Sequence, residues 1–127
     1  MRANDIQHGG DHYGKDPIQH WDFTWKHAYN QFEYSATKYI ERCWEKNGVE
    51  DLKKALHHLQ KYMEITKVHP FVRDINDAIL YCKKRDMEHA RIVIFSHIHI
   101  GDVKTAIAAL EMLIENTEAE AVNADRE

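Results

Sequence analysis

Cysteine and proline occur twice each and glycine five times in 127 residues, and each scarcity excludes something. Cys43 and Cys82 stand far apart with no Cys-x-x-Cys spacing. That excludes a disulfide scaffold or a zinc ribbon and predicts two buried, reduced thiols. Pro17 and Pro70, with Gly9, Gly10, Gly14, Gly48 and Gly101, leave long stretches without a breaker, which favours helices. Long apolar runs are also missing. Uninterrupted apolar stretches reach five residues at most, at Ala78 to Cys82 and Ala106 to Leu110, against the roughly 20 residues that a membrane span needs, so no membrane association is expected and a cytoplasmic location is. Nor is there an excess of positive charge: 17 basic side chains face 21 acidic ones, a formal net of -4. General nucleic-acid binding relies on a net basic surface and is not expected, although a local basic patch remains compatible with that balance.

What is present describes one globular domain. With 43% hydrophobic and 30% charged residues, a chain of this length can bury enough surface to fold without metals or disulfides. Residues 1–15 form a glycine- and histidine-rich arm. Asp16 followed by Pro17 predicts a helix start, and a short aromatic helix follows from Pro17 to about His27. From Gln31 to Lys46, Phe32, Ala36, Tyr39, Ile40 and Cys43 recur at helical spacing, and Asn47-Gly48 ends the segment. A second long helix, from Glu50 to about Lys67, carries Leu52, Ala55, Leu56, Leu59, Tyr62 and Met63 on one face. Two long helices joined by so short a turn pack as an antiparallel hairpin, giving a hairpin domain over 16–68.

Beyond His69-Pro70, residues 69–116 continue the same domain as a helical extension. Ile75, Ala78, Ile79 and Cys82 mark one helix, and Met87, Ala90, Ile94 and Ile98 another. The β-branched stretch from Arg91 to Ile100 would make a strand with no partner, so helix is the better reading. Asp102 caps a last helix bearing Val103, Ala106, Ile107, Leu110, Leu113 and Ile114, whose alanines suggest close helix approach and a homo-oligomer. Residues 117–127 hold four acids against Arg126 alone and are expected to be a disordered tail. The fold class expected is all-α: a helical hairpin with additional packed helices in a small bundle.

Polar residues at helical spacing mark the candidate site. Ser35, Lys38, Arg42 and Glu45 fall on the face of the first long helix opposite its apolar stripe; Asp51, Lys54, His58 and Lys61 do so on its partner. Convergence of the two faces would make a cationic groove in which Lys38, Arg42, Lys54 and His58 suit a phosphate. Carboxylates suited to Mg2+ stand around the hairpin turn in Glu41, Glu45, Glu50 and Asp51, with Asp51 and Glu45 the candidate ligands, while Glu41 and Glu45 are also placed for surface pairing. His12 and Tyr13 in the arm could close over a ligand, although the arm lacks the GxxxxGK[ST] pattern of a phosphate loop. The ten histidines show no HxxxH or HExxH on a predicted helix, so no histidine metal site is expected. Eight aromatics lie from Trp21 to Trp44; most are expected in the core, with one or two left at a groove edge to stack on a nucleobase. No dinucleotide fingerprint or nucleophilic triad is present, and no organic cofactor is expected.

The string His12-Tyr13, Ile18, Asp22, Phe32, Ala36-x-Lys38-Tyr39-Ile40-x-Arg42, Lys46-Asn47, Asp51-Leu52-x-Lys54-Ala55 and Tyr62 resembles a small domain family of tailed phages described as nucleotide kinase-like. The resemblance covers about residues 8–66. Where the family commonly has a glycine-lysine turn after the arginine, this chain reads Cys43-Trp44-Glu45-Lys46. The likeness implies a phage-encoded nucleotide-binding protein, with phosphoryl transfer to deoxynucleoside monophosphates as its candidate activity. Its motif positions here are His12, Tyr13, Lys38, Tyr39, Arg42, Lys46, Asp51 and Lys54. Two alternatives stand beside it: a non-catalytic sponge that sequesters a nucleotide signal of host immunity, and an all-α nucleotide pyrophosphohydrolase, whose ExxD motif is absent and whose ExxE motif occurs only at Glu115-Asn116-Thr117-Glu118, outside the hairpin.

Overall fold

A computed structural model describes residues 18–126 and contains six α-helices: α1 (His20–Lys26), α2 (Gln31–Arg42), α3 (Val49–Ile65), α4 (Ile75–Lys84), α5 (His89–His99) and α6 (Val103–Arg126). Among the described residues there is no strand, as the all-α expectation requires. The β-branched stretch that begins at Arg91 lies in α5.

Side chains at the helix starts satisfy the orphan backbone N–H groups there. Asn30 Oδ1 accepts from the Phe32 and Glu33 amides (2.9 and 3.0 Å), and Glu33 Oε1 accepts in return from the Asn30 amide (2.9 Å). Asp74 Oδ1 accepts from the Asn76 amide at 2.9 Å, and Asp102 Oδ1 from that of Thr105 at 3.4 Å.

α2 packs on α3, α3 on α6, α6 on α5 and α5 back on α2, so four helices close a ring around one core. Ala36, Ile40, Leu52, Ala55, Leu59, Ile94, Ile98, Ala106 and Leu110 fill it, all without measurable exposure. The residues of the extension therefore share the core of the hairpin. A second, aromatic core joins α1, α4 and α5 through Phe23, Tyr81, Met87 and Phe95, with the Phe23 and Tyr81 rings stacked at 4.4 Å. Cys43 and Cys82 are free and buried, and burial pushes the Cys43 thiol up to about 11.

Several boundaries differ from the sequence expectation. Asp16 and Pro17 lie outside the described residues, and α1 starts at His20 behind Gln19, whose amide donates to Asp22 Oδ2 at 3.0 Å. α2 stops at Arg42 rather than Lys46. The chain tightens into a 3₁₀ turn over Cys43–Glu45, and Cys43 O then accepts from the Gly48 amide at 2.7 Å. Arg91 supports that early stop, its Nη1 donating to Ile40 O and Glu41 O at 3.1 and 2.7 Å, the carbonyls that α2 leaves unpaired. Gly48 turns the chain into α3 with φ +57, in the region that favours glycine.

The largest difference is the tail. Residues from Thr117 to Arg126 continue α6 as helix instead of being disordered. Alanine and glutamate are strong helix formers, and a helix already nucleated at Val103 extends without a new nucleation cost. Thr117 Oγ1 donates to Leu113 O at 2.7 Å, and Lys53 of α3 reaches Glu118 at 3.4 Å. The close approach expected of Ala106 occurs within the chain, since Ala106 is spent in the four-helix core. The three tryptophans also depart from expectation: Trp21, Trp25 and Trp44 are all substantially exposed rather than core.

Candidate functional site

α2 has two polar flanks. On the side facing α3, Nε and Nη2 of Arg42 donate to Oδ2 and Oδ1 of Asp51 at 3.3 and 3.4 Å. Asn47 adds its backbone amide and its side-chain amide to the same carboxylate, each at 3.4 Å, and Lys54 Nζ stands 4.0 Å away. Asp51 is fully buried. The Tyr39 ring lies under both cations, 4.7 Å from the Arg42 guanidinium and 5.6 Å from the Lys54 ammonium, with the His58 ring 5.6 Å away. His58 Nδ1 donates to Lys54 O at 2.7 Å, one turn back in α3. The expected convergence of these residues does occur. It closes into a seam in which charge is compensated, however, rather than into an open cationic groove.

The open site lies on the other flank, between α1 and α2. A hollow of about 350 Å³ is lined by Gln19, His20, Trp21, Tyr34, Lys38, Glu41, Arg42 and Lys46. Tyr34, Lys38 and Arg42 follow one another at four-residue steps, so they form one row along α2 and the row begins at Tyr34 rather than Ser35. Lys46 reaches the hollow because the 3₁₀ turn redirects the chain after Arg42. Lys54 and His58 do not line it, and Arg42 reaches it with Nε and Nη2 already committed to Asp51.

Two buried groups form the back of the hollow. His20 Nε2 pairs with Thr37 Oγ1 at 2.8 Å. That hydroxyl donates to Glu33 O at 2.7 Å, so it accepts from His20 and fixes the proton on Nε2. Burial, followed by the charges of Lys38 and Arg85, pushes the imidazole down to about 3 and keeps it neutral. Glu41, only 8% exposed, is not the surface-pairing residue that its spacing suggested; it accepts a hydrogen bond from the Tyr81 hydroxyl. Burial raises its carboxyl pKa above the ordinary range, against the opposing pull of Tyr81, Arg85 and Arg91.

A third polar cluster ties the end of α1, α2 and α5 together. Arg73 Nη1 donates to Glu33 Oε2 at 2.7 Å and to His99 O at 3.1 Å, and Nη2 donates to Ala28 O at 3.2 Å. Tyr29 Oη meets His99 Nδ1 at 2.5 Å, and burial, with His27 and Arg73 nearby, pushes His99 down to about 4.

Of the residues singled out from sequence, Lys38, Arg42 and Lys46 come together in the hollow, whereas Tyr39, Asp51, Lys54 and His58 come together in the seam. His12 and Tyr13 lie outside the described residues. Asp51 is paired with Arg42 and Asn47, and among the described residues there is no group of three or more His, Cys, Asp or Glu side chains that could hold a metal ion. Sequence reasoning missed His20, Tyr34 and Glu41 as lining residues. The available signal was the Tyr34-Lys38-Arg42 row, which sets an aromatic side chain one turn from a lysine. Comparison with protein-family models, curated proteins and solved structures finds no match for this chain.

Proposed function

We propose that this chain binds a nucleotide in the hollow between α1 and α2. The observation that carries the reading is the meeting, within about 350 Å³, of Lys38, Arg42 and Lys46 with the aromatic rings of Trp21 and Tyr34. Lysine and arginine suit a phosphate group, and an exposed aromatic face suits a nucleobase. The resemblance to tailed-phage nucleotide kinase-like domains supports the same reading, because its positions Lys38, Arg42 and Lys46 fall in the hollow. Its positions Tyr39 and Asp51 then act at one remove, holding Arg42 at the rim, while Lys54 lies outside the hollow.

Between phosphoryl transfer and sequestration, one observation favours sequestration. Asp51, the acid expected to hold magnesium, is committed to Arg42 and Asn47. Calorimetric titration with the four deoxynucleoside monophosphates and with ATP tests binding, and Lys38→Ala should weaken it about tenfold. Incubation of ATP, Mg2+ and each monophosphate with the protein separates the two activities. Formation of ADP and a deoxynucleoside diphosphate would identify a kinase, and binding without turnover a sponge. No binding of any nucleotide at millimolar concentration would overturn the proposal.

A further inference from the structure

The hollow has a neighbour that a mononucleotide leaves unused. Trp21 and Tyr34, which line its aromatic side, also line a second concavity of about 510 Å³, together with Thr24, Trp25, Ala28 and Tyr29. The two cavities thus share a wall of two rings, and their chemistry is divided. Every charged side chain lies in the first, and none lines the second. Trp25 stands one helical turn beyond Trp21 on α1 and is 88% exposed, more than either other tryptophan. So large an apolar face is costly to leave in water and is apt for stacking on a base.

The geometry points to a ligand with two bases, a dinucleotide unit whose phosphates lie along Lys38, Arg42 and Lys46 and whose second base stacks on Trp25 in the uncharged concavity. The inference rests on the nucleotide reading above and adds the number of bases to it. The occupant is chosen by charge: an uncharged aromatic pocket adjoining a three-cation rim across Trp21 and Tyr34 fits an aromatic anion long enough to reach from one to the other. An apolar peptide would leave the three cations unanswered. A cationic rail beside stacked aromatics is also how proteins hold short stretches of single strand. Two sources supply this chemistry, a free dinucleotide and the end of a single strand.

The test compares affinities of the four deoxynucleoside monophosphates and the four 5′-phosphorylated homodinucleotides for the wild-type protein and for Trp25→Ala. The best dinucleotide should bind about tenfold more tightly than its mononucleotide and quench tryptophan fluorescence. Trp25→Ala should erase that advantage while leaving mononucleotide affinity and the thermal midpoint unchanged, because the ring is exposed. Equal affinity of mono- and dinucleotide would overturn the two-base inference and leave nucleotide binding intact. An advantage that survives Trp25→Ala would overturn it as well. Binding of neither would sink both. An octanucleotide of the preferred base distinguishes the sources: tighter binding than the dinucleotide identifies a strand, and equal or weaker binding a free dinucleotide.

Discussion

The two flanks of α2 carry similar residues and use them in opposite ways. Facing α3, Arg42 and Lys54 meet a fully buried carboxylate and an aromatic ring, so their charge is compensated inside the protein. Facing α1, Lys38 and Lys46 stand at the rim of a hollow whose one acid, Glu41, is pushed toward its neutral form. Cationic side chains at helical spacing thus become structure where a buried acid pairs with them, as Asp51 does, and a candidate binding surface where the buried acid, Glu41, is engaged by Tyr81 instead. Arg42 belongs to both flanks, giving two donors to Asp51 while it lines the hollow.

The comparison breaks most sharply at Asp51. Asp51→Ala strips Arg42 and the Asn47 amides of their shared acceptor and should cost about 3 kcal/mol of unfolding free energy, as expected for breaking a buried pair. Urea denaturation measures it, and a loss under about 1 kcal/mol would mean that the seam does not hold the hairpin. Arg42→Lys should then lower both stability and nucleotide affinity, since one guanidinium serves both flanks.

Acid should act through the other flank and the cluster behind it. His20 and His99 are held near 3 and 4, whereas their unfolded value is 6.5. Below pH 6.5 the unfolded chain therefore binds protons that the folded chain refuses. Stability should fall as pH drops from 6.5 toward 4, with a limiting slope of about 1.4 kcal/mol per pH unit for each histidine. Glu41 works in the opposite sense: its pKa is raised by folding, so it takes up a proton more readily in the folded state and offsets part of the loss. Denaturation series at pH 6.5, 5.5 and 4.5 should show the fall, and His20→Gln should reduce its slope; a flat profile would contradict the neutral assignment of both rings.

Single lysines sharpen the contrast at smaller scale. Lys38→Ala should weaken nucleotide binding by about 1.5 kcal/mol while moving stability by less than about 0.5 kcal/mol. Lys54→Ala should do the reverse, leaving affinity unchanged and costing about 0.5 kcal/mol, since its pair with Asp51 is long and half-exposed. Calorimetry and thermal unfolding of the two variants side by side check both halves. The smallest effect belongs to the end of α6, tied to α3 by the exposed Lys53–Glu118 pair. A chain ending at Asn116 should lose helical circular dichroism for about ten residues yet change stability by less than about 1 kcal/mol. A larger loss would mean that the last turns brace α3.

Local periodicity was enough to read the helices. Ala36 with Ile40, and Leu52 with Ala55 and Leu59, occupy the core as their 3.6-residue spacing requires, because a helix that must bury one face carries that requirement in its own sequence. The same pattern located Lys38 and Arg42 as a polar row, and composition read the two thiols as buried. The tail misled because acidic composition suggested disorder, whereas a helix already formed at Val103 continues cheaply through alanine and glutamate. The side of α2 that opens to solvent was not legible in the spacing. It depends on α1 docking through His20 to Thr37, 17 residues away, and on Arg73 reaching Glu33 across 40. It depends too on Asp51 being buried rather than exposed to a metal. Spacing along one helix records which residues share a face; whether that face is sealed by a counter-charge or left open is decided by what folds against it.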